Sequence, residues 1–368
     1  ARGMPSNETV VWSEGMFMRP QHMQQHTRYV EGLVHSVLDA SLPFGWGFSH
    51  LSLDRTLLAS GSLGINEARG LFPDATPFNL ISGGGAPSIQ LSNAEPGAVI
   101  CLCTARRGGG ARAQEFARGG DGQGARYESH TIDVVDNAAV LSEGDGSSAA
   151  NRRPSAAPVV VGQLQVRLLV DSQDAGELLR LPVARVADVL SDGSVRLDED
   201  FIAPVTRLSA SPVLAQYVRE ISTMVGSRAE ALARRVGDMV AETEFSLDIL
   251  WLLISNRYDS ILKNIAATDI HPAQLYSLLL GIAGELSTLN SPDRRPGEFP
   301  PYDHVDPASC FGEIVAELRS LWSAEPPKPV KPLQLVYADT RQTWLSKIAD
   351  HSLLDNADFV LAAKADIS

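Results

Sequence analysis

The chain has 368 residues, of which 44% are hydrophobic and 20% charged, and its formal net charge is −13. This composition is typical of a folded protein with two or three domains, and it argues against a general nucleic-acid binder, which would carry a basic surface. The apolar runs are too short to span a bilayer, and the opening residues lack a signal-peptide pattern. We therefore expect a cytoplasmic protein with no nucleic-acid partner and no direct membrane insertion.

The first half of the sequence, up to about residue 205, consists of short β-rich runs separated by Gly, Ser, Pro and Asn. This spacing predicts a sandwich or barrel. Cys101 and Cys103 share one face of such a run, and with Cys310 they indicate apolar side chains in a reduced compartment rather than disulfides. Residues 106–126 and 142–157 are Gly-rich and predict loops. The first of these predicts a solvated hairpin tip or a partner contact through a basic cluster, Arg106, Arg107, Arg112, Arg118 and Arg126.

A helical pattern begins at Ser211, a capping residue followed by proline. Apolar residues then recur at heptad spacing, which predicts a helix packed along its length against a neighbour. Later positions of the same seam are charged, Arg228 and Arg235. The neighbour is either another helix of this chain or a second subunit. The apolar seam residues are Leu214, Val218, Ile221, Val225, Leu232 and Met239.

Three more helices are predicted at residues 243–265, 269–289 and 306–322. Residues 325–333 contain four prolines and predict an extended spacer. Beyond the spacer we expect a strand, a short helix beginning at Trp344 and a second strand. About 35 residues are fewer than usually fold alone, so this unit is expected to be incomplete. The predicted domains are residues 1–205, 206–325, a linker at 326–333, and 334–368.

An active site is not apparent in the motifs. Phosphate-binding loops, dinucleotide-binding glycine patterns and a GxSxG elbow are missing from the sequence. His22 and His26 would share a helix face and could hold zinc, but Met23 stands where a zinc protease needs glutamate, and His35 is a weak third ligand. We expect no catalysis, no metal and no cofactor. The alternative, a metal-dependent hydrolase, would carry stoichiometric zinc.

The run VVWSEGMFMRPQHMQ, residues 10–24, is the most specific stretch of the chain. It resembles the start of the TssK family of type VI secretion baseplate subunits, also named ImpJ and VasE, whose pattern is approximately W-x-E-G-M-F-L-x-P-Q-H-F-Q. Met18 and Met23 replace leucine and phenylalanine, which are apolar exchanges of similar bulk. The residues that match this pattern are Trp12, Glu14, Gly15, Met16, Phe17, Pro20, Gln21, His22 and Gln24, and Arg19 stands at the unspecified position before the proline.

The resemblance implies a multidomain β + α protein with an N-terminal β-sandwich shoulder, a helical-bundle neck and a small, here incomplete, C-terminal α/β head. It implies a structural adaptor without enzymatic activity or cofactor. The adaptor would be a homotrimer joined through the neck. Its shoulder would dock on the wedge subunits TssF and TssG, and its head would reach the cytoplasmic regions of TssL and TssM at the inner face of the cytoplasmic membrane.

The opening run then becomes the predicted interface. Its apolar residues contact either a wedge partner or the shoulder of the same chain. Gly15 permits a tight bend, and Pro20 suits the first turn of a helix running through Leu38. The predicted interface residues are Trp12, Glu14, Gly15, Met16, Phe17, Met18, Arg19, Pro20, Gln21 and His22. The predicted trimer seam is the heptad set above. The alternative function is a phage-tail-like β-sandwich that binds a ligand or glycan on a helical stalk.

Overall fold

The computed structural model describes residues 8–81, 86–92, 94–107, 116–118, 125–135, 156–171, 178–238, 245–323, 333–339 and 342–348. Between residues 47 and 197 strands predominate, and between residues 212 and 323 the chain is helical, as the sequence predicts; one helix precedes the strands and one strand pair follows the helices. The helices are α1 (Pro20–Ser41), α2 (Pro212–Asp238), α3 (Phe245–Thr268), α4 (Pro272–Asn290) and α5 (Pro307–Ser323). The strands are β1 (Gly47–Asp54), β2 (Ser62–Leu71), β3 (Pro77–Ile81), β4 (Ser88–Gln90), β5 (Val99–Ala105), β6 (Phe116–Arg118), β7 (Tyr127–Val135), β8 (Ala156–Leu164), β9 (Arg167–Val170), β10 (Leu178–Val189), β11 (Val195–Leu197), β12 (Val336–Ala338) and β13 (Thr343–Leu345).

Two four-stranded antiparallel sheets form the shoulder. One has the order β1–β2–β3 with β4 beside β2, and the other has the order β11–β10–β5–β9. Both sheets place side chains in one hydrophobic core, including Leu63 of β2 and Leu102 of β5. β5 is almost continuously buried, and Cys101 and Cys103 fill space there as predicted. The sheets therefore share a single core, as in a sandwich.

A third sheet has the order β6–β7–β8. β7 and β8 form a ribbon of nine antiparallel residue pairs, from Tyr127–Leu164 to Val135–Ala156. Most of their side chains are exposed, and β6 pairs with β7 in parallel. β7 and β8 coincide with β-rich runs of the sequence, whereas β6 lies inside residues 106–126, which the Gly-rich composition predicted as loop.

The helix starts follow local capping chemistry. The Leu214 amide donates to Oγ of Ser211 at 3.4 Å, so Ser211 caps α2 as predicted. α4 begins differently from the prediction. Its cap is His271, whose Nδ1 accepts a hydrogen bond from the Ala273 amide at 3.1 Å. Asp269 instead binds the hydroxyl and amide of Ser209 at 2.6 and 2.8 Å.

Helices α2 to α5 pack as a bundle. Trp251 of α3 meets Trp322 of α5 edge-to-face, with ring centroids 6.3 Å apart. Arg319 of α5 holds Glu220 of α2 through two hydrogen bonds of 2.6 and 2.8 Å. Apolar contact and a bidentate ion pair thus join helices that are distant in sequence.

The heptad seam of α2 requires a correction. Leu214, Val218, Ile221, Val225 and Leu232 are each at most 5% exposed within a single chain. The neighbour they meet is α3 of the same chain, so they leave no surface for a second copy. The charged seam positions also face α3, because Arg228 lies over the Trp251 ring at 4.9 Å and Arg235 pairs with Asp248. Met239, the last residue of that predicted trimer seam, lies outside the described residues.

The two halves join where β1 begins. The Phe48 amide donates to the carbonyl oxygen of Pro204 at 2.8 Å, and Phe48 pairs in parallel with Val205. Gly47 is required here, because a methyl group at its Cα would lie 2.6 Å from that Pro204 oxygen, and its φ is +118°. The start of the shoulder is therefore fixed against the segment that leads into the helices.

After the helices, β12 and β13 form an antiparallel pair. The strand predicted directly after the spacer is confirmed as β12. Trp344 was predicted to start a helix, but it lies in β13, where it packs edge-to-face on Tyr337 with centroids 5.2 Å apart. The proline-rich residues 324–332 and the predicted elements beyond residue 348 lie outside the described residues.

Candidate attachment surface

Helix α1 carries an apolar stripe that none of the residues described in the structure covers. Val30, Leu33, Val34 and Val37 follow the i, i+3, i+4, i+7 spacing of one helix face, and Met23 extends the same face toward the helix start. All five side chains are exposed, and no residue of α1 is buried. Helices in folded proteins owe most of their stability to packing of an apolar face. A 22-residue helix with an open apolar stripe is therefore a candidate surface for contact with a partner.

The residues before α1 turn back along it. Gly15 has φ +78°, which allows the bend that the sequence predicts there. The carbonyl oxygen of Glu8 accepts a hydrogen bond from Nε2 of Gln25 at 2.7 Å. Trp12 lies beside His22 and His26, with ring centroids 6.4 and 6.2 Å away. The run therefore extends the apolar stripe at the N-terminal end of the helix.

The histidine pair has a structural role. Nδ1 of His22 accepts a hydrogen bond from the Arg19 amide at 3.0 Å, which satisfies a free backbone donor at the helix start. His26 flanks Trp12 from the next turn. Within the described ranges, no group of three or more His, Cys, Asp or Glu side chains is placed to hold a metal ion. In the run HMQQH, His22 therefore caps the start of α1 and His26 packs against Trp12.

Most of the predicted interface residues lie on the surface. Phe17 is 82% exposed, and Trp12 and Met18 are about half exposed. Met16 and His22 are partly buried, whereas Glu14, Gly15, Arg19, Pro20 and Gln21 are exposed. The contacts that hold the run are with α1, so the structure gives no support to the alternative in which the run pins this helix onto the shoulder. We call the exposed apolar residues of the run and the helix together the attachment surface: Trp12, Phe17, Met18, Met23, Val30, Leu33, Val34 and Val37.

One ion pair links the middle of α1 to the shoulder. Nη1 of Arg107, just after β5, lies 2.6 Å from Oε2 of Glu31. Both side chains are partly exposed, so the pair contributes little stability. Its geometric effect is clearer, because Glu31 lies on the flank of the helix away from Leu33 and Val37. Leu33 and Val37 stay exposed, while the edge of the helix that bears Glu31 is tethered.

Arg126, which the sequence placed in a basic cluster of the loop, lies inside the shoulder. Arg126 is 2% exposed, and its Nη2 lies 2.8 Å from Oδ2 of Asp74, with further bonds to the Ala105 carbonyl at 2.6 Å and to the Thr76 hydroxyl. The guanidinium is therefore an internal tie between β7 and the loop before β3, because a buried charge needs a partner. Arg112 and the side chain of Arg118 lie outside the described part of the chain.

The comparisons with known proteins agree with this architecture. Residues 22–368 match the family model of bacterial type VI secretion proteins that covers EvfL, ImpJ and VasE. The type VI secretion system baseplate component TssK1 of Pseudomonas aeruginosa is 36% identical over 367 residues, which cover 99% of this chain and 80% of that protein. The chain belongs to the TssK family of type VI secretion baseplate components.

Solved TssK structures share the fold. A crystal structure of TssK superposes with a TM-score of 0.80 at 29% identity, covering 90% of this chain and 73% of that one. TssK in a TssK–TssF–TssG baseplate subcomplex superposes with a TM-score of 0.71 at 24% identity, covering 86% of this chain and 99% of that one. The multidomain β + α prediction is therefore confirmed. In the described residues, no helix has both the length and the apolar character to cross a membrane.

The α1 stripe is the functional feature that sequence reasoning missed. The signal was present, because VEGLVHSV holds four apolar residues at helical spacing. That spacing is also typical of an ordinary core-facing helix. Only the structure shows that the face is left open.

Proposed function

We propose that this chain is a structural adaptor of the type VI secretion baseplate that docks on wedge subunits of the TssF and TssG kind through its attachment surface. The observation that carries the proposal is the open apolar stripe of α1, extended by the exposed rings of Trp12 and Phe17. Apolar anchors in a continuous patch are typical of interface centres. A relative of this family occurs in a solved subcomplex with TssF and TssG, which supports the choice of partner.

The adaptor acts as a homotrimer in this proposal. Because the heptad residues of α2 are used within the chain, the contact between copies must lie elsewhere on the neck. Leu250 and Leu253 of α3 are the best candidates, since Leu253 is 63% exposed and Leu250 nearly half exposed on one helix face. Leucines exposed this fully on a helical bundle favour contact with another helix.

The C-terminal head, of which the structure describes the β12–β13 hairpin, is proposed to reach the cytoplasmic regions of TssL and TssM. In this arrangement the protein is cytoplasmic and is held at the inner face of the cytoplasmic membrane by its partners. Exposed Tyr337 and Trp344 on the hairpin offer an aromatic contact for such a partner.

The adaptor role is tested by co-purification. Tagged protein is incubated with the TssF–TssG wedge, and separately with the cytoplasmic regions of TssL and TssM. Retention of the wedge by the unmodified chain and its loss in Phe17→Asp are the expected results. Glycan binding without any retention of the wedge would instead favour the ligand-binding alternative and would overturn the proposal.

A further inference from the structure

The chain leaves α1 through residues 42–46, and side chains from the helical half hold this segment. His271, the cap of α4, places Nε2 3.1 Å from the carbonyl oxygen of Phe44. His304, in the connection between α4 and α5, places Nε2 2.8 Å from the carbonyl oxygen of Trp46. The two contacts span 227 and 258 residues of sequence. The segment that carries α1 is thus anchored to the neck rather than only to its own sheet.

The surroundings of the two imidazole rings determine which ring nitrogens carry a proton. A carbonyl oxygen can only accept, so Nε2 carries the proton in each histidine. Nδ1 of His271 accepts from the Ala273 amide at 3.1 Å. Nδ1 of His304 lies 2.8 Å from the Tyr302 hydroxyl; because burial lowers the pKa of His304 to about 4, the ring is neutral and the hydroxyl donates to it. Each imidazole is therefore neutral and held at both nitrogens. A ring bonded at both ends has one orientation, and it fixes the carbonyl that it holds.

Phe44 shows how strongly the segment is constrained. Its φ is +63°, a conformation that aromatic residues rarely adopt. The ring stacks on His304 with centroids 5.3 Å apart and meets Tyr302 edge-on at 5.4 Å. Strained backbone persists only where the surroundings over-determine it, and it is frequent where geometry matters for function. Here the surroundings are the two rings contributed by the helical half.

We infer that His271, Tyr302 and His304 are positioning residues that set the direction in which α1 leaves the body and thereby present the attachment surface. Burial does not set that direction, because α1 has no buried residue. The Arg107–Glu31 pair is partly exposed and too weak to set it alone. We call residues 42–46 together with His271, Tyr302 and His304 the joint. This inference rests on the proposed function only in that the wedge is named as the partner.

The direction of α1 is measurable by electron spin resonance on the full chain. The native cysteines are all buried, so spin labels can be placed selectively at Gln24→Cys on α1 and Glu313→Cys on α5, both exposed positions. Labelled protein is diluted with unlabelled protein so that distances between copies do not contribute. We expect one narrow distance distribution in this doubly labelled protein.

Four substitutions in the labelled protein test the joint. His304→Ala removes both bonds and is expected to broaden the distribution several-fold. Phe44→Gly removes the ring but accepts the positive φ without strain, and it should broaden the distribution as well. His304→Gln can donate to Trp46 and accept from Tyr302, so the narrow width should return. His35→Ala, on the exposed side of α1, is the matched control and should leave the width unchanged.

Measuring how tightly the same variants bind the wedge tests the inference about the joint and the proposed function separately. If a free joint leaves about a tenth of molecules with α1 correctly placed, affinity for TssF–TssG falls about tenfold in His304→Ala and is restored in His304→Gln. An unmodified chain that does not bind the wedge would overturn the proposed function and leave the joint standing. A narrow distribution in both His304→Ala and Phe44→Gly, with circular dichroism unchanged, would overturn the joint.

Discussion

The buried Arg126 pairs with the partly exposed Asp74 across 52 residues of sequence, with Nη2 of the arginine 2.8 Å from Oδ2 of the carboxylate. The guanidinium also holds the Ala105 carbonyl, so it ties the end of β5 to the loop before β3. A residue from the most glycine-rich and basic stretch of the sequence therefore belongs to the interior of the shoulder.

Replacing Arg126 by methionine should destabilise the shoulder by about 2 kcal/mol, because the Ala105 carbonyl, the Asp74 carboxylate and the Thr76 hydroxyl lose their bonds to the guanidinium. The change is measured as a lower midpoint of thermal unfolding. Arg106→Ala is the matched control, since that arginine is exposed and its loss should change stability by less than about 0.5 kcal/mol. Equal midpoints for the two variants would contradict the buried role of Arg126.

The neck is tested by placing a charge inside and outside the bundle. Val225→Asp puts an unpaired carboxylate among buried side chains of α2, so we expect loss of cooperative unfolding by circular dichroism rather than a folded monomer. Leu253→Asp lies on the outer face of α3 and should keep the helical signal while light scattering shows a lower mass. A folded, monomeric Val225→Asp protein would restore α2 as the seam between copies.

The three cysteines should be chemically silent in the folded protein. Burial raises the pKa of Cys101 to about 12 and that of Cys103 to about 11, and it also raises the pKa of Cys310. Since the thiolate is the reactive species, a thiol reagent at pH 8 should modify none of them until denaturant is added. Rapid modification of the native protein would show that the β5 face or the start of α5 opens.

The two histidines of the joint predict that the protein loses stability as the pH falls. The pKa of His304 is lowered from its ordinary 6.5 to about 4, chiefly by burial. The nearby His271 adds to this shift, and the bond to Trp46 and the charge of Asp303 offset part of it. Burial also lowers the pKa of His271. The unfolded chain then binds more protons than the folded one, so the stabilisation is complete above pH 6.5 and is lost as pH falls toward 4. For His304 the loss amounts to about 3 kcal/mol.

This loss is measured as the midpoint of thermal unfolding between pH 7 and pH 4. His304→Gln does not titrate, so its midpoint should fall less steeply over that window, with the carboxylates common to both proteins cancelling in the comparison. Identical pH profiles for the two proteins would show that His304 is not buried as a neutral ring.

Periodicity along the chain was sufficient to predict the helices of the neck, because each carries a long apolar face, and α2, α4 and α5 begin at a proline. It also found most strands, such as β5 and β10, whose apolar runs are bounded by turns. β2 escaped because SLGINEARGL breaks its alternation with two glycines and two charges. Sequence reasoning finds the elements in which apolar residues recur at regular spacing, because that spacing alone shows which face is buried.

Contacts between residues that are distant in sequence could not be predicted from periodicity. Nothing near Arg126 in sequence predicts Asp74, and nothing near Phe44 or Trp46 predicts the two histidines that bind their carbonyls. The heptad of α2 was a correct prediction of packing but left open which helix would meet it, and the trimer was the wrong choice for those side chains. The opening motif identified the family, yet the apolar stripe that follows it became visible only from exposure.

The claim that α1 presents the docking surface is tested most directly by the dissociation constant for the TssF–TssG wedge, measured by calorimetry with Val34→Asp and His35→Asp. Both residues are exposed neighbours on α1 and gain the same charge, but Val34 lies on the apolar stripe and His35 on the polar side. Val34→Asp is predicted to weaken binding at least about tenfold, which is roughly 1.4 kcal/mol, while His35→Asp binds like the parent. Equal affinities for the parent and both variants would contradict the account.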